Sequence, residues 1–167
     1  MQLNGLIQTL PKELKLLIGV FIIVLSIGFY TGLLFVSDTS SVNPNGIEEQ
    51  YLGNENDEDA LIMKFKKSET EMLSLVHSHI LSMSIIFFLV GLLLSITKLN
   101  KKFKLFLMIE PFVSVILTFG GLYLLWSGLL WMKYIVIFSG TLMTLSFTLS
   151  IIIILFQLLK KQLGRSF

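Results

Sequence analysis

Four long apolar stretches, almost free of charged residues, constrain this chain more than any other feature of its sequence. They cover residues 16–36, about 75–97, about 105–129 and about 134–158. A helix needs about 20 apolar residues to cross the hydrocarbon core of a bilayer, and each stretch is long enough. We therefore predict an all-α integral membrane protein, a bundle of four transmembrane helices.

The charged residues lie between these stretches, and their distribution predicts the orientation. Lysine and arginine near the ends of spans mark the cytoplasmic side. With four crossings, one side collects nine of the thirteen basic residues, namely Lys12, Lys15, Lys98, Lys101, Lys102, Lys104, Lys160, Lys161 and Arg165. We predict that both termini are cytoplasmic and that the long acidic loop, residues 37–68, faces outward. High usage of Ile, Lys and Asn favours a bacterial inner (plasma) membrane.

Several classes of function are excluded or disfavoured by composition. The chain has no cysteine, which excludes disulfides, thiolate metal sites and thiol nucleophiles. The outer loop is too short to bury a catalytic core of its own, and the chain lacks phosphate-binding and hydrolase motifs. The basic residues follow the span ends, so nothing supports nucleic-acid binding. We expect no enzyme activity, no catalytic residues and no metal site.

The outer loop divides into two parts. Residues 37–60 are rich in turn formers and acids and are predicted to be irregular, whereas the apolar and basic residues 61–67 are predicted to lie on the membrane surface. Ser68 and Glu71 have the spacing of a capping box, which predicts that the second helix spans residues 69–97. In the first span, Gly28 and Gly32 have a spacing that allows helices to approach closely.

The two histidines near the outer end of the second helix are the first candidates for chemistry. On a helical wheel His77 shares a face with small residues such as Ser84 and Gly91, so we predict that it points into the bundle. One hypothesis makes His77 an axial ligand of a b-type haem, with Met83 or His79 among the candidates for the second ligand. Metal binding or proton handling are alternatives. We prefer a structural histidine at the membrane interface.

Glu110 is the second candidate, because a carboxyl inside a span is a functional hypothesis by default. Two registers compete. If the third helix begins near Leu105, Glu110 lies inside the membrane on one face with Ser114 and Thr118. If it begins at Pro111, Glu110 lies at the interface beside the lysines of residues 98–104. We favour the interfacial register.

Further polar groups occur on the fourth helix and in the acidic loop. The fourth helix carries a stripe that includes Ser139, Ser146 and Ser150, for which we prefer a packing role over a hydrated cavity. The loop carboxylates Glu48, Glu49, Asp57, Glu58 and Asp59 lack the spacing of an EF-hand. We interpret them as a solvated surface that docks a basic partner.

The leading functional hypothesis is a non-enzymatic accessory or scaffold subunit in the lipid bilayer. Its outer loop and the head of the second helix would face a ligand, a membrane protein partner or a second copy of the chain. A membrane cytochrome that uses His77 for electron transfer is one alternative. A small channel or transporter that couples protons or ions through Glu110 is another.

Overall fold

The computed structural model describes residues 4–40, 43–55 and 62–160 of the chain. Four helices in these ranges are long and apolar enough to cross a membrane, and the described residues contain no strand. The helices are α1 (Lys12–Ser40), the short α2 (Pro44–Leu52), α3 (Glu69–Ser95), α4 (Lys101–Trp126) and α5 (Met132–Leu159). The predicted all-α four-span fold is confirmed.

The third span, α4, is one continuous rod with a local change of helix type. It runs as an α-helix over Lys101–Val115, as a π-helical turn over Ile116–Gly120, and again as an α-helix over Gly121–Trp126. Its first turn is capped by Asn100, whose side chain accepts the Lys102 amide at 3.0 Å. The helix therefore begins four residues before the predicted start at 105.

The start of α3 follows the predicted capping box. The Ser68 hydroxyl accepts the Glu71 amide at 3.3 Å, and the Glu71 carboxylate accepts the Ser68 amide at 2.7 Å. Two amides that the helix leaves without partners are thereby satisfied. The prediction that this helix starts at about residue 69 is confirmed.

Part of the segment between α1 and α3 is helical, which its composition did not predict. α1 continues to Ser40, and α2 occupies the centre of the stretch 37–60 that was predicted to be irregular. Asn43 is the N-cap of α2, and Pro44 occupies its first turn. The same Asn-Pro pair that favours a turn also suits a helix start, because proline lacks only an amide that is unpaired there. We call residues 43–55 and 62–68 the cap.

Two contacts attach the cap to the ends of α4 and α5, and a third holds the cap together. The Lys133 ammonium forms an ion pair with Glu48 at 2.6 Å. The indole N–H of Trp126 donates to the Lys67 carbonyl at 2.8 Å. Within the cap, the Asn54 side chain accepts the Lys64 amide at 2.6 Å. These bonds hold the cap against one end of the bundle, the cap end. The opposite end, with the α3–α4 turn, is the lysine end.

The spans contribute unequally to the core. In the most apolar 18-residue stretch of α4, half of the residues are buried. In the corresponding stretch of α1 only 11% are buried, so α1 lies at the periphery of the bundle. Phe147 of α5 is fully buried, stacks on Phe29 of α1 with ring centroids 3.9 Å apart, and meets Phe87 of α3 edge-on. This aromatic contact is the main attachment of α1, together with a 2.7 Å hydrogen bond between the Tyr30 and Thr148 hydroxyls.

The Gly28 and Gly32 pair does not pack against another helix of the described residues. A Cβ atom built at either position would have no neighbour within 4 Å.

Candidate functional site

Glu110 lies on the buried side of α4, with its side chain only 8% exposed. The helix start at Pro111 that the interfacial register assumed is wrong, because the helix begins at Lys101 and passes through Pro111 without a break. The depth of Glu110 in the membrane stays a prediction. At about 1.5 Å per residue, Glu110 lies about 14 Å along the helix from its first residue. Proline often occupies the first turn of a helix, but here the Asn100 side chain caps the helix at its start well before Pro111, which therefore lies in its interior.

The lysines of residues 98–104 do not pair with Glu110. The Lys104 ammonium instead donates to the carbonyls of Ser95 at 3.0 Å and Thr97 at 2.5 Å, and to the Asn4 side chain at 3.1 Å. It thereby satisfies carbonyls that the end of α3 leaves open.

The Glu110 carboxyl has one hydrogen-bond partner. The Ser114 hydroxyl, one turn further along the helix, donates to Oε1. The second oxygen, Oε2, is buried and has no partner. It is the one buried side-chain nitrogen or oxygen without a partner in the described part of the chain. An unpaired buried polar group costs free energy, so this oxygen requires an explanation.

Thr118 continues the same face toward the cap end and joins α4 to α5. Its hydroxyl lies 2.8 Å from the Ser139 hydroxyl, which also donates to the Ile135 carbonyl at 2.7 Å. Thr118 lies within the π-helical turn, and such turns are frequent at functional sites. The predicted alignment of Glu110, Ser114 and Thr118 is thus found on one buried face of α4.

The polar stripe of α5 faces the interior along its whole length. Its members are all buried, and they are Ser139, Met143, Ser146, Ser150 and Gln157. Two contacts give the register of the antiparallel pair: Thr118 meets Ser139, and Lys98 meets Gln157. Along the pair, Glu110 lies between these two contacts, as Ser146 and Ser150 do on α5. The two helical faces, one on α4 and one on α5, therefore form one polar seam, which we define as Glu110, Ser114, Thr118, Ser139, Ser146 and Ser150.

The histidines are placed differently from the prediction. His77 is exposed and does not point into the bundle, so that prediction is wrong. His79 is also exposed, but its ring packs on Phe119 of the π-helical turn with centroids 4.7 Å apart, and its Nδ1 lies 2.8 Å from the Leu75 carbonyl. Met83, one turn below His79, is half-buried.

The error in the histidine prediction has a physical cause. Leu81 and Phe88, which share the face of His77, are more than half exposed in the bundle, whereas Phe87 and Val90 are buried. In a membrane the outward face of a helix is as apolar as its core face, because lipid tails solvate it. A wheel of apolar positions therefore does not distinguish the two faces.

No cluster of three or more His, Cys, Asp or Glu side chains that would hold a metal ion occurs within residues 4–40, 43–55 and 62–160. Of the loop carboxylates proposed to dock a basic partner, Glu48 is in the ion pair with Lys133. Asp57, Glu58 and Asp59 lie outside the described residues.

The cap contains a concave surface with a volume of about 690 Å³. Its walls are residues of α2 and the neighbouring turn, and they are Asn45, Glu48, Glu49, Leu52, Gly53, Asn54, Glu55 and Lys66. Three of these are carboxylates and one is an ammonium, whose nitrogen lies 5.1 Å from the centre of the Trp126 ring. Two of the carboxylates, Glu49 and Glu55, have no ion-pair partner among the described residues.

Two contacts at the bundle ends were not anticipated from the sequence. Gln157 binds the backbone of Lys98, and Lys133 pairs with Glu48. In the sequence, Gln157 and Lys133 are simply polar residues at the ends of apolar spans. Residues at such positions are often solvated, so the pattern did not predict a contact.

Comparison with known proteins gave one match. A protein-family model, Aq_1264_TM, described as a transmembrane helical domain, matches residues 41–165. No curated protein and no solved structure matches the chain.

Proposed function

This chain belongs to the Aq_1264_TM family of transmembrane helical domains, and from that premise we propose that it is a non-enzymatic accessory subunit of a membrane assembly. Its cap docks the basic surface of a partner protein on the outer side of a bacterial inner membrane. Both termini are cytoplasmic in this proposal, as the distribution of lysines predicts.

The observation that carries the proposal is the construction of the cap. A chain of hydrogen bonds and one ion pair attach a short helix to the ends of α4 and α5. A loop that only connected two spans would not need this attachment, since long surface loops are tolerated at little cost. The attachment holds the concave surface in one conformation, which lowers the entropy lost when a partner binds.

The charge of the concave surface indicates the kind of partner. Glu49 and Glu55 lie on it without an ion-pair partner among the described residues, and Asp57, Glu58 and Asp59 follow directly in the sequence. Complementary charge accelerates association and excludes partners of the same sign. A lysine- or arginine-rich segment of a second membrane protein fits this surface.

A photo-crosslinking experiment tests the proposal in intact membranes. A photoreactive residue at Asn45 should give one discrete crosslinked protein, whereas the same residue at Lys102 of the lysine end should not. The double variant Glu49→Gln/Glu55→Gln should reduce the crosslink at least fivefold, and added salt should reduce it as well, because both weaken the charge attraction.

The matched control is Glu69→Gln, which removes an exposed carboxylate from the same end of the bundle but outside the concave surface. It should leave the crosslink unchanged. An equal crosslink in the double variant, or crosslinking only to lipid or to further copies of the chain, contradicts a basic partner at the cap.

A further inference from the structure

The Glu110 carboxyl lies in a length of the bundle that contains no cationic side chain. The neighbouring helices carry no lysine, arginine or histidine at its level. α3 has no charged residue or histidine after His79, and α5 has none after Tyr134. In α1 the length between Lys15 and Asp38 is uncharged, and Tyr30 is its only titratable group. Along α4 itself, the nearest cation is Lys104, which is held by the end of α3.

A carboxylate without a countercharge is costly inside a bilayer. A negative charge on Glu110 would therefore need a countercharge that no side chain of the described residues supplies. A bound proton or a bound metal cation would supply it.

Oxygen atoms that suit a small cation lie one turn before and one turn after Glu110 along α4. Pro111 has no amide hydrogen, so the Leu107 carbonyl, in the turn below Glu110, lacks its usual helical donor. The Ser114 hydroxyl, which donates to Oε1, keeps lone pairs of its own. The unpartnered Oε2 completes a set of three kinds of oxygen within about two turns of one helix. Hard monovalent and divalent cations prefer such oxygens, and open carbonyls at helix interruptions coordinate ions in transporters.

From this arrangement we propose that Glu110 is the charged ligand of a site for an exchangeable monovalent cation, either a proton or an alkali ion, within the polar seam. A single carboxylate balances one positive charge, which favours a monovalent over a divalent ion. The buried serines Ser146 and Ser150 of α5 belong to the same seam. The site is independent of the cap, so the two proposals stand or fall separately.

Infrared spectroscopy of the purified protein in liposomes tests the site directly. The carbonyl band of a protonated carboxyl, taken as the difference between the wild type and Glu110→Gln, is followed while the pH is raised from about 5 to about 9. If the cation is a proton, the band disappears with rising pH equally in NaCl and in choline chloride. If it is an alkali ion, NaCl removes the band at a lower pH than choline chloride does.

Labelling with dicyclohexylcarbodiimide, which reacts with protonated carboxyls in apolar surroundings, gives a second readout by peptide mass spectrometry. Label at Glu110 should change in parallel with the infrared band over the same series of solutions, while the exposed Glu13 and Glu69 should remain weakly labelled. A Glu110 band that is constant across the pH range in both salts overturns the proposal, since it describes a permanently neutral acid with a structural role. This conclusion applies whether or not the reagent reaches the carboxyl.

The Ser114→Ala variant tests the role of the hydroxyl as a positioning group. The Ser114 hydroxyl is the one described donor to the carboxyl, so the rate of labelling at Glu110 should change severalfold without it at a fixed pH. The matched control is Ser127→Ala, an exposed serine whose hydroxyl bonds only to the Leu124 carbonyl of its own helix. Equal labelling rates in the two variants contradict the assigned role of Ser114.

Discussion

Gln157 shows how one polar side chain at the end of a span joins two helices. Its Oε1 accepts the Lys98 amide at 2.7 Å, and its Nε2 donates to the Lys98 carbonyl at 3.1 Å. Both backbone groups lie beyond the last turn of α3, where no helical partner exists for them. The side chain thus supplies the hydrogen bonds that a neighbouring backbone would otherwise make, and it connects α5 to the α3–α4 turn.

Replacing Gln157 by leucine should lower the free energy of unfolding in detergent by about 1–2 kcal/mol, because two backbone groups lose their partner. The matched control is Thr144→Val, which removes a hydroxyl bonded only to the Gly140 carbonyl of its own helix and should cost less. Unfolding of the solubilised protein, followed by circular dichroism, measures both. Equal losses would show that the contact between helices adds nothing.

Among the elements, α4 departs most from a regular helix. Pro111 removes one backbone hydrogen bond, and the π-helical turn at Ile116–Gly120 adds a residue to the following turn. Beyond this turn α4 and α5 approach closely: a Cβ on Gly121 would lie 3.0 Å from Cγ2 of Val136 and 3.3 Å from Cε of Met132. The methionine can rotate away, but the β-branched valine is stiff.

Gly121→Ala should therefore destabilise the bundle by about 1–2 kcal/mol through overpacking. The adjacent variant Gly120→Ala is a stringent control, because a Cβ there would have no neighbour within 4 Å. It should be neutral or slightly stabilising, since alanine favours helix more than glycine does. Thermal unfolding of the two variants in the same detergent distinguishes them, and a loss in Gly120→Ala as large as in Gly121→Ala would refute the close approach.

At the scale of the whole molecule, the two ends of the bundle differ in charge. The cap end carries the carboxylates of α2, and the lysine end carries the basic residues of the α3–α4 turn. Because the chain has no cysteine, single cysteines introduced at Glu49 and at Lys102 report the orientation without background.

In intact cells, a membrane-impermeant maleimide should label Glu49→Cys and not Lys102→Cys. The positive-inside rule is the physical basis of this expectation. Permeabilised cells, in which both cysteines should react, are the control for access. Labelling of position 102 alone would invert the bundle, and labelling of both positions in intact cells would break the four-span topology.

The number, type and approximate length of the spans could be read from residues 16–36, 75–97, 105–129 and 134–158 alone, because the bilayer demands long apolar helices wherever a chain crosses it. The start of α3 could be read from Ser68 and Glu71, because a capping box acts over one helical turn. These features depend only on neighbouring residues and on the lipid environment, so the sequence was enough to predict them.

The surroundings of Glu110, the outward position of His77 and the folding of the cap required the packed bundle. Lipid and protein core are both apolar, so hydrophobic periodicity does not tell which side of α3 or α4 meets another helix. Partners such as Lys133 for Glu48, or Gln157 for Lys98, are distant in the chain. Only the assembled tertiary structure brings them within hydrogen-bonding distance, and it also leaves one oxygen of Glu110 without a partner.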